Sequence, residues 1–174
     1  MIIFLLILTS SVSSDDVVTY AINILPKVLC FADIKREKIV VDKISESNQI
    51  FTVLASSGAQ KITAIFESSS SAVLLTWAET DDNSIWKFEK ASPEVEKTAM
   101  HYMEMLINSI DPPKLVRITS HRSQILNGEK IHQLTLITEL HERRSLQFLQ
   151  FKFKANGRHT FIQHDVLLKD GEIN

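Results

Sequence analysis

Apolar and polar residues alternate with a period of two over much of this chain, and only two stretches carry the longer period of a helix. The first is 17–31, which Pro26 is expected to kink. The second opens at Ser92-Pro93-Glu94, with a serine cap, a proline in the first helical position and an acid in the first turn. From there Val95, Ala99, Tyr102, Met103, Leu106 and Ile110 recur at helical spacing, predicting about five turns that Pro112-Pro113 stops. Strands are predicted over 38–44, 49–55, 61–67, 72–79 and 85–88 after the first helix. After the second they are predicted over 114–121, 131–140, 145–154 and 159–169. Alternation in 131–140 places Leu134, Leu136 and Leu140 on one face and Gln133, Thr135 and Glu139 on the other.

The bend between the first two strands of the second half is Gln124-Ile125-Leu126-Asn127-Gly128. Its glycine lets the backbone take positive φ without a Cβ clash. An exposed Ile and Leu at a hairpin tip call for something that binds there. The Gln-x-apolar-x-Gly pattern, set after a helix and inside an antiparallel meander, resembles the first binding loop of cystatins, inhibitors of papain-like cysteine proteases. The resemblance covers about 88–174. It implies an α+β, cystatin-like fold, with one helix packed on a four- to five-stranded antiparallel sheet.

The order of signals in 15–89 is similar, so two such units in tandem are expected: a degenerate one over 15–88 and a second over 89–174. Two registers between the halves stay open. Gln49-Ile50-Phe51 can lie over Gln124-Ile125-Leu126, or Ser57-Gly58 over Asn127-Gly128. Phe88-Glu89-Lys90-Ala91 is the short link between them.

By this resemblance the protein is not an enzyme and needs no cofactor. It plugs a protease cleft reversibly with a wedge of three elements. Gln124, Ile125, Leu126, Asn127 and Gly128 form the first. A second hairpin follows at Ala155-Asn156-Gly157-Arg158, where Asn-Gly is a strong turn signal. It lacks the Pro-Trp pair of many secreted cystatins, and His159 is the partial substitute. The third element, matched by Lys90 and Ala91, lacks the usual trunk glycine and is tethered at both ends. Asn108 falls near the loop through which some cystatins block legumain-type proteases, though a helix C-cap is the plainer reading. Two alternatives remain: a non-inhibitory binding or immunomodulatory module, and a latexin-like carboxypeptidase inhibitor.

Composition narrows the classes. With 19 basic and 21 acidic residues the net charge is −2, so no global field favours nucleic acid or an anionic membrane. The apolar run 2–8 and the small residues that follow, ending Val12-Ser13-Ser14, read as a signal peptide over 1–14, too short to span a bilayer. A secreted, extracellular protein is the expectation, with no membrane contact once that segment is removed. Cys30 is the sole cysteine, which leaves no disulfide within the chain. In its apolar setting, Val28-Leu29-Cys30-Phe31, it reads as core. Trp77 and Trp86 also read as strand and core residues. Arg117, Arg122, Arg143, Arg144, Lys152, Lys154 and Arg158 read as a solvated sheet face. His101, His121, His132, His141, His159 and His164 show no metal-ligand spacing, so no metal site is expected.

Overall fold

A computed structural model describes residues 12–32, 34–69, 72–81, 85–107, 109–154 and 156–169. Strand is the dominant element, in two antiparallel sheets. The first sheet runs β1 (Ile39–Ser47), β2 (Ile50–Ser57), β3 (Gln60–Ser68) and β4 (Val73–Thr80) in chain order. The second runs β5 (Lys87–Phe88), β6 (Lys114–Leu126), β7 (Glu129–Leu140), β8 (Arg143–Phe153) and β9 (His159–Leu168). Two helices, α1 (Ser14–Val28) and α2 (Pro93–Leu106), precede the long strands of each.

Local chemistry accounts for the helix ends. Ser13 and Asp16 form a reciprocal capping box at the start of α1, each satisfying one of the other's backbone N–H groups. In the uncleaved chain, Ser13→Ala is therefore expected to lower the unfolding free energy by about 1 kcal/mol, read as a lower urea midpoint at unchanged slope. Pro26 lies in the last turn of α1, where it removes one helical bond without breaking the helix. In α2, Ser92 Oγ accepts the Val95 N–H at 3.3 Å. Three hairpins turn through paired positive φ values, at Asn48-Gln49, Asn127-Gly128 and His141-Glu142, the sense that matches strand twist.

Packing departs from two helix-on-sheet units in tandem. Val17, Ala21, Ile24, Leu25 and Val28 of α1 cover Phe51, Val53, Ile62, Ala64, Phe66 and Leu75 of the first sheet. The same core takes in Ile137 and Leu146 of the second sheet. A smaller core lies on that sheet's other face, where Val95, Ala99, Tyr102 and Met103 of α2 meet Leu134, Leu136, Leu149 and Phe151. The second sheet is thus covered on both faces. That is why Thr135, on the expected polar side of β7, is buried as well. Mostly strand, with one core shared between two sheets, this architecture replaces the expected α+β tandem of cystatin-like units.

Smaller corrections follow from the same contacts. The 85–88 segment contributes only Lys87–Phe88, and it pairs with β6 of the second sheet, not with the first. Trp86 lies outside any strand and is half-buried against the Arg122 guanidinium, while Trp77 is half-buried in β4. Ile110 falls beyond the end of α2 and is fully exposed. Cys30 is exposed in a short 3-10 turn, not part of the core. Desolvation by the protein around it, then the Asp165 carboxylate, push its thiol up to about 11, so it is not a thiolate at neutral pH. Arg122, expected on a solvated face, is buried. No helix among the described residues is long and apolar enough to cross a membrane.

Candidate functional site

The β6–β7 hairpin and the β8–β9 turn lie at one end of the second sheet. Ile125 pairs with Lys130, Lys130 with Phe153, and Phe153 with His159, which sets both turns side by side. At the first tip Asn127 (φ 52°) and Gly128 (φ 76°) make a two-residue turn. Ile125 is 73% exposed and Leu126 48%, though both belong to a strand anchored in the sheet. No charge falls within 124–128. Gln124 is half-buried, with its amide oxygen turned inward and without a protein partner.

At the second turn the Asn156 side chain accepts the Arg158 N–H and closes its own loop, with Gly157 at φ 76°. His159 is exposed, yet its Nδ1 lies 2.7 Å from the Tyr102 hydroxyl and its ring packs by Phe153. Lys90 is exposed, whereas Ala91 packs on the α2 core. Asn108 and Ala155 lie outside the described residues.

Behind the tips is a cavity of about 340 Å³, lined by Glu89, Lys90, His121, Lys130, His132 and Gly157 among others. Its wall holds a hydrogen-bonded chain that began as separate residues in the sequence. Glu89 follows β5 and is bound to β6 through its N–H to the His121 carbonyl at 3.2 Å. In return, His121 Nδ1 lies 3.0 Å from the Glu89 carbonyl. A carbonyl only accepts, so Nδ1 carries the proton and Nε2 of the neutral ring is bare. His132 Nδ1, 2.9 Å from that Nε2, must then donate. His132 Nε2 is left as a buried lone pair with no protein partner.

Charge around the chain is uneven. Desolvation pushes both imidazoles down, and His132, further disfavoured by His121 and Lys130, falls to about 4. Desolvation also works against the Glu89 carboxylate, but Lys130 at 2.7 Å and the Ser123 hydroxyl at 2.6 Å outweigh it and hold that carboxyl below its ordinary value. One ligand atom each from Glu89, His121 and His132 lies within 4.8 Å of the others.

Spacing along the chain hides this cluster, since positions 121 and 132 fit no local metal motif. Hairpin register reveals it. With the turn at Asn127-Gly128, Ser123 faces His132, and His121 is the next residue on the same face of β6. Searches against protein-family models, curated proteins and solved structures match nothing.

Proposed function

We propose that the β6–β7 tip docks into a partner's cleft and that the partner is a papain-like cysteine protease, held reversibly outside the cell. One observation carries the reading: Ile125 and Leu126 stand exposed on a strand pair held in register through to the turn. Two apolar side chains on a pre-ordered hairpin lose little conformational freedom on docking, so their burial appears as affinity. The uncharged tip adds no desolvation cost in a closed cleft. The Asn156-Gly157-Arg158 turn, at the same end of the sheet, flanks the contact, and Lys90 lines the cavity behind it. Gln124 supplies polar contacts once its amide turns outward.

A second reading keeps the docking tip but removes the inhibition. It draws on His159, whose engagement with Tyr102 makes it a poor substitute for an aromatic anchor at the second turn.

Titration of papain or a cathepsin L-type protease with the full chain separates the two. Tight reversible inhibition is expected, with a loss of roughly a hundredfold or more in an Ile125→Asp/Leu126→Asp variant, as for central interface residues. Both positions are exposed, so the unfolding free energy of that variant should stay within about 0.5 kcal/mol of the wild type. Protease binding without inhibition favours the second reading. Absence of both binding and inhibition overturns the first.

A further inference from the structure

We infer that Glu89, His121 and His132 form a site for one divalent transition-metal ion, with zinc as the best match. The inference is independent of protease binding. Two imidazoles and one carboxylate, converging within 4.8 Å at a cavity wall, are the donor set of open zinc sites, which keep a fourth position for water. The Glu89 backbone carbonyl already orients the His121 ring, the outer-shell hydrogen bond that most metal-bound histidines make.

The ion replaces a proton. Between the rings, His121 Nε2 and His132 Nδ1 share one hydrogen 2.9 Å apart. Two nitrogens on one tetrahedral zinc, each at about 2.0–2.1 Å, lie roughly 3.3 Å apart. The two nitrogens therefore need to part by only a few tenths of an ångström, and the rings must tilt by roughly 35° each so that their lone pairs converge on the ion. The displaced proton moves from His132 Nδ1 to Nε2 of the same ring, and net protonation is unchanged. No hydrogen bond is lost at Nε2, which has no protein partner to begin with. Phe151 beside the ring and Phe153 edge-on to it hold the imidazole in place.

Lys130 opposes the ion. Its ammonium sits 2.7 Å from the Glu89 carboxylate and must release it before the carboxylate coordinates. The ammonium therefore weakens the site, and removing it should strengthen binding.

Calorimetric titration of Zn²⁺ into the chelator-treated full chain tests this, with Co²⁺ absorption as the spectroscopic probe. Expected are one ion per chain, a visible cobalt band of low coordination number, at least about tenfold weaker binding in Glu89→Gln and His132→Gln, and tighter binding in Lys130→Gln. Glu89 is half-exposed, so its variant reports on coordination even where His132→Gln folds poorly. A wild-type chain without saturable binding overturns the inference. So does zinc affinity unchanged in Glu89→Gln, which would place the ion on other histidines.

Discussion

Arg122→Ala is expected to lower the unfolding free energy by about 3 kcal/mol, among the larger effects for a single polar residue. The Arg122 guanidinium lies between the Phe31 ring, 4.3 Å away, and the Trp86 ring, 4.6 Å away. It donates to the Phe31 carbonyl at 2.6 Å and to Gln133 Oε1 at 2.8 Å. Truncation leaves that carbonyl unpaired, removes both cation–π contacts and opens a void where the first half of the chain meets the second sheet. Arg122→Lys retains the charge but not the planar fork, so it should recover only part of the loss. The exposed Arg158→Ala is the control, within about 0.5 kcal/mol of wild type. Urea unfolding of the three variants checks this. A loss under about 1 kcal/mol in Arg122→Ala would show that the two halves are held together without it.

Acidification of the metal-free protein is expected to remove about 3 kcal/mol of stability between pH 6.5 and 4. Above pH 6.5 His132 is neutral in both the folded and the unfolded chain and contributes no slope. Below it, the unfolded chain takes up a proton that the folded site refuses until about pH 4. Stability therefore falls as pH falls through this window, and the His132 contribution is exhausted below it. His121, also pushed down by desolvation, adds to the same slope. Urea midpoints measured with a chelator from pH 7.5 to 4 should trace the fall, and His132→Gln should flatten part of it. Equal slopes in variant and wild type would assign the titration to other groups.

Most strands and both helices were legible because their signals are local. Ser92-Pro93-Glu94 starts α2 through capping that needs no tertiary partner. Asn127-Gly128 turns because those two residue types tolerate positive φ, and alternation around it sets which side chains share a face. The end of α2 was less legible. Ile110 kept the helical period, yet nothing packs on it and the helix stops at Leu106.

What stayed hidden depends on how the two sheets meet. Period-two alternation states which residues lie together on a face, not whether that face meets water or protein. Arg122 and Thr135 read as solvated because their pattern is polar. They are buried because the first half of the chain closes over that face of the second sheet. The same holds for the histidines: separation along the chain placed His121 and His132 apart, and strand register brought their nitrogens to 2.9 Å. By itself the sequence determined the helices, the turns, the alternating faces and the exposed Ile125-Leu126 tip, because each follows from neighbours along the chain. Only the tertiary structure decided the shared core, the buried Arg122 and the Glu89–His121–His132 cluster, because burial and long-range register are properties of surfaces that meet after the strands have formed.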